Sequence, residues 1–440
     1  MVLGSVSRAQ IVPDAIIDHA VILKHSSRHL VLGIVALTLS IVYGIWYSYS
    51  VIMVALLKEF GWSRSVLAGA FSLFTLMHGI SNPVIGALCA RVSPPRIVAA
   101  GGGVLAFSLW LDSLVTQPWH LYLSFGVGTA IGVAMSGWVP ALVQAQRRFP
   151  DRLGLAIGIV SAGVGLGILL VVPVCQLLID AYGWRTAFRV LAVTCVVWIV
   201  PAGVYVARTS AAGTRDRSTT ATDGGASEVV VRRPPVPAMT LAEAARTAPF
   251  WLVIGASIFG NICAQTMHVH QVVYLVDHGL SAIVAATVVS VVGAASIVAK
   301  ILGGWASDHV DREFVYIGGA LFMVVAMLAL MAVGASPSHW GAYGYALLLG
   351  VGYSVTASVM PAIASDRFSG PHFGSIVGMA LMASAIGSAL GPWLAGYLFD
   401  ITGSYFPAFV IALGCGLTAA ILGYRLRQLR LRAACVARTA

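Results

Sequence analysis

Charged residues are scarce in this sequence. Only 10% of the 440 residues are Asp, Glu, Lys or Arg, 59% are hydrophobic, and the mean hydropathy is +0.90. A soluble domain carries about 25% charged residues, so this composition excludes an ordinary soluble protein. Strand alternation is missing too, and the apolar runs are much longer than the roughly 10-residue segments of a membrane β-barrel. We therefore expect an all-helical protein that crosses the membrane many times.

Long hydrophobic runs, in contrast, are abundant. Twelve of them reach the length of about 20 residues that a membrane-spanning helix needs. They lie near residues 30–57, 65–90, 97–115, 119–146, 154–180, 185–207, 249–277, 281–306, 314–334, 340–366, 374–399 and 404–424. The stretch between the sixth and seventh runs is rich in Ser, Thr, Gly, Pro and Arg and has too few apolar residues to form a core. The predicted parts are an N-terminal segment, a first six-helix bundle, a linker, a second six-helix bundle and a tail, at 1–29, 30–207, 208–248, 249–425 and 426–440.

The basic residues are distributed unevenly between the two sides of the predicted spans. With the N-terminus inside, 21 of the 26 Lys and Arg residues fall in cytoplasmic segments, four in outside loops, and one, Lys300, inside a span. This asymmetry follows the positive-inside rule, so both termini are expected in the cytoplasm and the chain in the inner (plasma) membrane. It also explains the net charge of +10 without a nucleic-acid partner. Residues 1–29 have no uninterrupted apolar core and no cleavage site, so we expect no signal peptide.

Sequence signals of enzymes and metal sites are missing as well. The six cysteines show no spacing typical of disulfides or a metal site. There is no phosphate-binding loop, nucleophile elbow or zinc motif. His268 and His270 are two residues apart on a predicted helix and point in diverging directions. We therefore expect a protein that is not an enzyme and has no metal or cofactor, and any uphill transport would draw on an ion or solute gradient.

The two halves of the sequence repeat each other. "RLGLAIGIVSAGVGLG" (152–167) and "HFGSIVGMALMASAIG" (372–387) align three glycines of each half at a separation of 220 positions. The glycines are expected to allow close packing of helices. Parallel six-helix repeats of this kind resemble those of major facilitator transporters, which hold their substrate between the halves.

Several short motifs are similar to those of the major facilitator superfamily. "GGWASDHVDR" (303–312) resembles its loop between spans eight and nine, and "YGWRTAF" and "LGPWLAG" also match its patterns. The resemblance covers essentially residues 30–425 and implies twelve helices in two bundles of six. It also implies a gating role for Asp308 and Arg312. In the corresponding loop of the first half, Ala90 stands where that family usually has Asp.

A narrower resemblance points to the monocarboxylate transporter and oxalate/formate antiporter families. "YSYSVIMVALLKEFGWSRS" (47–65) looks like the end of their first span. Their span-eight pattern is matched by Lys300, Gly304, Trp305, Ser307 and Asp308. In those families the span-eight cation holds the substrate carboxylate, so the resemblance implies this role for Lys300. An ammonium inside a bilayer costs about 2.5–3.5 kcal/mol on insertion scales and usually faces the protein interior. The alternative is that the long side chain of Lys300 extends to the membrane surface.

Departures from these families narrow the predicted ligand. Monocarboxylate transporters have an acidic residue four positions before the span-eight cation and a lysine in span one, whereas this sequence has Ser296 and Val51 there. Oxalate carriers use a second cation in span eleven, and residues 374–399 contain no Lys or Arg. A single cation predicts a substrate with a single carboxylate.

Other polar and aromatic residues can complete a binding cavity. Asn261, Gln265, His268 and Tyr274 share one broad face of the seventh span, with His270 and Gln271 turned partly away. Ordinary hydrogen bonding between helices is the alternative role for this face. Aromatic positions that contact substrate in the monocarboxylate family are matched by Tyr47 and Tyr353, which rank ahead of Trp138; packing is the alternative for all three. The candidate substrate-binding residues are thus Lys300, Tyr47, Tyr353, Gln265, His268, Asn261 and Trp138.

These observations predict a secondary transporter that moves a small organic monocarboxylate by alternating access. Proton coupling is one option, since histidine titrates near neutrality and a buried lysine can exchange a proton as a carboxylate arrives. The candidates for this step are Lys300, His268 and His78. Anion exchange, uniport and efflux of other organic solutes stay open, as does a transporter-like receptor or scaffold. The protein is expected to function as a monomer.

Overall fold

The structure is a computed structural model, and it describes residues 14–149, 153–209, 240–368 and 373–439. For residues 14–29, 153–155, 308, 365, 373–375, 377 and 433–439 the description is limited to the backbone. Twelve helices in the described ranges are long and apolar enough to cross a membrane. They are α1 Asp14–Phe60, α2 Arg64–Arg91, α3 Pro94–Asp112, α4 Pro118–Arg148, α5 Leu153–Tyr182, α6 Trp184–Thr209, α7 Ala248–Asp277, α8 Ala282–His309, α9 Arg312–Ala335, α10 His339–Arg367, α11 Phe373–Thr402 and α12 Phe406–Thr439. A short helix, Leu241–Ala244, precedes α7.

The helix ends follow from local sequence signals. The helices α2, α8 and α10 begin after a serine whose hydroxyl accepts a hydrogen bond from a backbone N–H of the first turn, namely Ser63, Ser281 and Ser338. Four turns contain a glycine with positive φ, a conformation that strains other residues. These are Gly61, Gly183, Gly279 and Gly403. Because each turn reverses the chain, successive helices run in opposite directions.

The loops lie on two faces of the molecule. We call the face where α6 ends and α7 begins the linker face, and the opposite one the far face. All four positive-φ glycines lie on the far face, after α1, α5, α7 and α11. They occupy equivalent turns in the two halves, because the first and third are 218 positions apart and the second and fourth 220.

Equivalent glycines also organise the packing within each bundle. A methyl group at Gly167 of α5 would lie 2.0 Å from the Ser40 carbonyl oxygen of α1, and one at Gly387 of α11 would lie 2.3 Å from the Ile258 carbonyl oxygen of α7. The sequence repeat aligns these two glycines, so both halves use the same close helix contact. At Gly158, by contrast, a methyl group would meet nothing within 4 Å. Only some of the repeated glycines therefore make the expected close helix contacts.

The bundles α1–α6 and α7–α12 meet along two helix pairs, α2 with α11 and α5 with α8, and through α1 and α7. Small residues let these pairs approach closely. A methyl group at Gly79 of α2 would lie 2.5 Å from the Cβ atom of Ala385, and one at Gly293 of α8 would lie 2.7 Å from the backbone nitrogen of Leu169. Small residues at such contacts are typical of helices in membranes, where van der Waals packing drives association.

Helix α4 is irregular at two places. Its backbone is π-helical at Tyr122–Thr129, and the helix is interrupted at Gly137 before it resumes at Trp138. Single π-helical turns inside α-helices are frequent at functional sites. The π-helical segment packs against α2 and α3, next to the far face.

Candidate functional site

Lys300 is an uncompensated cation at the interface of the two bundles. Its Nζ atom lies 3.4 Å from the carbonyl oxygen of Ser161 on α5 of the opposite bundle. The side chain is half-buried. Among the residues whose side chains the structure describes, Nζ has no carboxylate within 4.0 Å, the limit for an ion pair. The ammonium therefore keeps donors available for an anion.

The neighbouring turn of α8 contacts α10. The Ser354 hydroxyl donates to the Ser296 hydroxyl at 2.8 Å. Ser296 lies one helical turn before Lys300, where the monocarboxylate family has an acid. In this chain that position joins two helices, and it contributes no charge to balance Lys300.

Tyr47 and Tyr353 meet between the bundles, with their hydroxyl oxygens 3.2 Å apart. The His268 ring lies against both, at centroid distances of 5.1 Å and 4.8 Å. Only 3% of His268 is exposed, and neither ring nitrogen has a partner among the described residues. The Oε1 atom of Gln265, one turn earlier on α7, is also buried without a described partner. Buried polar atoms normally have partners, so this group is suited to bind a polar ligand.

A cavity of about 210 Å³ lies in the second bundle beside Tyr353. Asn261 also lines it, and its amide is fixed by hydrogen bonds with Ser257 and Ser388. Small residues make up much of the remaining wall, namely Ala256, Gly260, Ala264, Ala357, Ala364 and Ala380. An apolar cavity of about 150 Å³ accepts a benzene ring. This cavity therefore has room for the carbon skeleton of a small acid.

Two further candidate residues, His78 and Trp138, lie in the first bundle. The ring centroids of His78 and Trp46 are 4.8 Å apart, and those of Trp46 and Tyr47 are 6.3 Å apart. A row of rings thus crosses the interface, in the order His78, Trp46, Tyr47, His268 and Tyr353. Trp138 begins the second part of α4 and packs against an apolar cluster of α1, α4, α5 and α6. The structure groups five of the predicted substrate-binding residues, namely Tyr47, Tyr353, Gln265, His268 and Asn261. Lys300 and Trp138 have no described contact with this group.

Arg312 pairs within its own bundle. Its guanidinium donates to Asp366 at 2.7 Å and to the Ala362 carbonyl at 3.3 Å, both on α10. The backbone of Asp308 belongs to α8, but its side chain lies outside what the structure describes. Neither residue has a described contact to the first bundle in this conformation.

Ion pairs join α9 and α12 at the linker face. Asp311 binds Arg427 at 3.0 Å and also binds Arg430. Hydrogen bonds from these two guanidinium groups lower the pKa of Asp311. A carboxyl with a lowered pKa contributes stability that is present above its ordinary value, near 3.9, and is lost as the pH falls through the lowered value.

The strongest polar contact between the bundles lies at the far face. Arg64, the first residue of α2, donates to Asp277 of α7 at 2.6 Å and to the Tyr405 hydroxyl at 2.7 Å. Its guanidinium carbon lies 3.7 Å from the centre of the Phe399 ring. One arginine side chain thus contacts α7, α11 and the segment that precedes α12. Such charge-assisted hydrogen bonds are about twice as strong as neutral ones.

The start of α2 adds a second contact to this arrangement. The backbone N–H groups of Arg64 and Ser65 donate to the two carboxylate oxygens of Asp400 at 3.0 Å and 2.8 Å. A carboxylate is favoured at this position because the N-terminus of a helix carries partial positive charge. We call this group the far-face clasp; its members are Arg64, Ser65, Asp277, Phe399, Asp400 and Tyr405.

His270 supports the clasp from inside the second bundle. Its two ring nitrogens lie 2.9 Å from the Tyr405 hydroxyl and 2.9 Å from the Pro392 carbonyl oxygen. The residue is fully buried. The side chain predicted to turn partly away from the site therefore fixes the position of a clasp residue.

The structure is closed at the far face. Besides the clasp, described hydrogen bonds between the bundles join Ser72 to the Ala389 carbonyl, Tyr47 to Tyr353, and Lys300 to the Ser161 carbonyl. Within the described ranges, no hydrogen bond or ion pair joins the bundles on the linker side of Lys300. Lys300 thus marks the limit of the described polar contacts between the bundles.

The clasp is not among the contacts predicted from the sequence, although Arg64 stands in the quoted motif "FGWSRS". Its partners Asp277 and Tyr405 lie 213 and 341 positions away in the sequence. The motif was the available signal, but only the fold brings these partners together.

The family model described as the Major Facilitator Superfamily matches residues 35–348 and 270–434. The chain belongs to the major facilitator superfamily. It is similar to monocarboxylate transporter 13 of Bos taurus, with 28% identity over 378 residues that cover 85% of this chain and 83% of the relative. Monocarboxylate transporter 11 of Mus musculus is 27% identical over 387 residues, which cover 84% of this chain and 80% of the relative.

A solved structure shares the fold of this major facilitator protein. The crystal structure of a bacterial homologue of the human lysosomal transporter Spinster, inward-facing and unoccupied, matches with a TM-score of 0.68 and 17% identity over 92% of this chain and 98% of that one. The predicted all-helical fold with two six-helix bundles is confirmed, as is the resemblance to monocarboxylate transporters. The chain is a multi-pass membrane transporter of a small molecule and not an enzyme.

Replacement of Arg64 tests whether the clasp keeps the far face closed. We expect Arg64→Gln to raise the ratio of far-face-open to closed molecules roughly tenfold, which corresponds to a loss of about 1.4 kcal/mol. The measurement is the distance between two nitroxide labels on the far face, one on each bundle. Arg185→Gln is the matched control, because Arg185 pairs with Glu59 of its own bundle. Equal distance distributions in Arg64→Gln and the control would exclude the clasp as the closing contact.

Proposed function

We propose that this transporter moves a small organic monocarboxylate by alternating access and that Lys300 binds the carboxylate. The main support is the position of Lys300 between the bundles, where its ammonium has no described carboxylate partner. An isolated cation inside a membrane protein is costly, and such residues usually line substrate or ion pathways. A bound carboxylate would compensate the charge of Lys300.

The chemistry of the ammonium fits a single carboxylate. It is a compact charge with three donors on a flexible stem, and hydrogen bonds between ionised partners are short and strong. Ser296 offers no competing charge one turn away. The similarity to proteins named monocarboxylate transporters supports the same substrate class.

The remaining candidates suit the organic part of the substrate. The cavity of about 210 Å³ beside Tyr353 and Asn261 can accept a carbon skeleton. The Gln265 Oε1 atom can accept a hydrogen bond from a hydroxyl of the acid, and the ring N–H of His268 can donate to a hydroxyl or keto oxygen. Tyr47 reaches the same place from the first bundle, so one ligand would contact both bundles.

The cycle requires a second state that is closed at the linker face. We assign Asp308 and Arg312 to this state, because a helix-end Asp and a nearby cation can bridge to the first bundle once the bundles approach there. The linker face would be cytoplasmic, as the excess of basic residues indicates. The protein would act as a monomer in the plasma membrane, with the clasp closing the outer side.

Substitutions of Lys300 test the binding role. We expect Lys300→Ala to weaken carboxylate binding by about 2–5 kcal/mol, the usual cost of removing one partner of a buried charge pair. Lys300→Arg should retain part of the affinity because the charge persists. The measurement is the ligand-induced shift in melting temperature of purified protein against a panel of organic acids.

Lys58→Ala is the matched control, since Lys58 is an exposed lysine near the far face. Equal thermal shifts in the wild type and in Lys300→Ala would exclude the assignment of Lys300. A protein that binds no solute at all, with Lys300 dispensable, would instead support a transporter-like receptor or scaffold.

Uptake under an imposed pH step tests proton coupling through Lys300 or His268. We expect proteoliposomes to accumulate the acid when the proton gradient points inward, because a proton would move with each carboxylate. His268→Gln should reduce the response to the gradient if the imidazole carries the proton, and His78→Gln should behave in the same way if that residue does. Accumulation that ignores the pH step in all of these proteins would favour anion exchange or facilitated diffusion.

The gating assignment predicts a separation of transport from binding. Asp308→Asn should slow transport while leaving substrate affinity nearly unchanged, because the bridge forms only in the state closed at the linker face. Transport rates in proteoliposomes and thermal shifts supply the two readouts. A loss of affinity without a loss of turnover would refute this role.

A further inference from the structure

Asp112 is a buried carboxyl group that the proposed substrate site does not use. It is the last residue of α3 and is 0% exposed. Its Oδ1 atom lies 2.5 Å from the Ser124 hydroxyl and its Oδ2 atom 3.0 Å from the Thr129 hydroxyl. Within the part of the chain that the structure describes, no cationic side chain lies within 4.0 Å of it. An ionised carboxylate buried without a cation is costly.

The hydroxyl of Ser124 has two acceptors but a single proton. It lies 2.5 Å from Asp112 Oδ1 and 2.8 Å from the carbonyl oxygen of His120. When the hydroxyl donates to His120, its short contact with Asp112 requires a proton on the carboxyl group. When Asp112 is ionised, the hydroxyl must turn toward it and leave the carbonyl. The arrangement thus has two hydrogen-bonding states that differ by one proton.

This carboxyl group holds the irregular part of α4. Ser124 and Thr129 belong to the π-helical segment Tyr122–Thr129. The Tyr122 hydroxyl at its start donates to the carbonyl oxygen of Val66 at 2.9 Å. A methyl group at Gly69 would lie 2.2 Å from the same hydroxyl, so α2 approaches this tyrosine closely. The geometry of the π-helical segment is therefore coupled to the first turn of α2.

The first turn of α2 also carries the far-face clasp. Val66 follows directly on Arg64 and Ser65, whose side chain and N–H groups bind the second bundle. The Tyr49 hydroxyl of α1 donates to the next carbonyl oxygen, that of Leu67, at 2.6 Å. A change at Asp112 can thus reach the clasp through hydrogen bonds that are all present in the closed state.

We propose that Asp112 is a proton-binding site of the transport cycle and that its protonated form favours the state closed at the far face. The proton comes from water and is bound by the carboxylate, which becomes the neutral acid. When α2 leaves Tyr122, the π-helical segment loses this support, water reaches Asp112, and the proton returns to solution. The proposal rests on the alternating-access part of the proposed function and does not depend on the substrate.

Other titratable groups near Asp112 come from three helices. Tyr49 faces it from α1, and His120 and Tyr122 belong to α4. From α6, Arg189 donates to the neighbouring Ser113 hydroxyl at 3.3 Å. Helix α2 contributes no titratable group to these hydrogen bonds; it provides the backbone carbonyl oxygens of Val66 and Leu67. A control with His120→Gln separates the titration of Asp112 from that of the imidazole.

The test measures the far-face distance against pH in substrate-free protein. Nitroxide labels at Gln117→Cys and Pro337→Cys report opening, because these exposed residues lie in far-face loops of the two bundles. We expect the open-to-closed ratio of the wild type to rise with pH, by up to about tenfold per pH unit for one proton. Asp112→Asn, which resembles the protonated form, should stay closed at every pH, and His120→Gln should behave like the wild type.

Ser124→Ala supplies a second readout. Because it removes a donor that stabilises the ionised form, it should shift the midpoint of opening to higher pH. A pH response in Asp112→Asn equal to that of the wild type, or an unchanged midpoint in Ser124→Ala, would overturn the proposal. Thermal shifts of Lys300→Ala report on the carboxylate site, and the pH response of Asp112→Asn reports on this inference, so failure of one is distinguishable from failure of the other.

Discussion

No water satisfies polar groups in the hydrocarbon core of a membrane, and this constraint decides where the charges of this chain lie. All but one of the described ion pairs lie within a bundle, at one of the two faces, as the pair of Arg312 with Asp366 does. Arg64 is the exception at the far face, because its partners belong to the other bundle. Lys300 is the exception nearer the middle, because its only described contact is a carbonyl oxygen.

Arg64 and Lys300 lie at the two ends of the described polar contacts that join the bundles. The clasp closes the far face, the Tyr47–Tyr353 contact lies below it, and Lys300 marks the last polar contact toward the linker face. A carboxylate that enters from the linker face would meet Lys300 before it meets the tyrosines. The tyrosine contact is one hydrogen bond and the clasp joins the bundles by four, so both can break and reform as the bundles move.

The fold could be predicted from the sequence because its signals are local and periodic. Twelve apolar runs and a repeat of 220 positions identify two bundles of six helices. The site could be predicted only in part. Lys300 is predicted because a charge inside a span is conspicuous, and Asp112 carries the same signal near the end of the third predicted span. The contact of His270 with Tyr405 and the contacts of Arg64 with its partners depend on how distant helices pack. The spacing of residues along one helix carries no information about that packing.

The central claim is that the ammonium of Lys300 binds the carboxylate of the substrate. The most direct measurement is an experimental structure of the protein with the organic acid that gives the largest thermal stabilisation. The account predicts carboxylate density within about 3 Å of Lys300 Nζ, the length of a charge-assisted hydrogen bond, with the carbon skeleton toward Tyr353. A bound acid whose carboxylate lies elsewhere between the bundles, with Lys300 still on the Ser161 carbonyl, would contradict it.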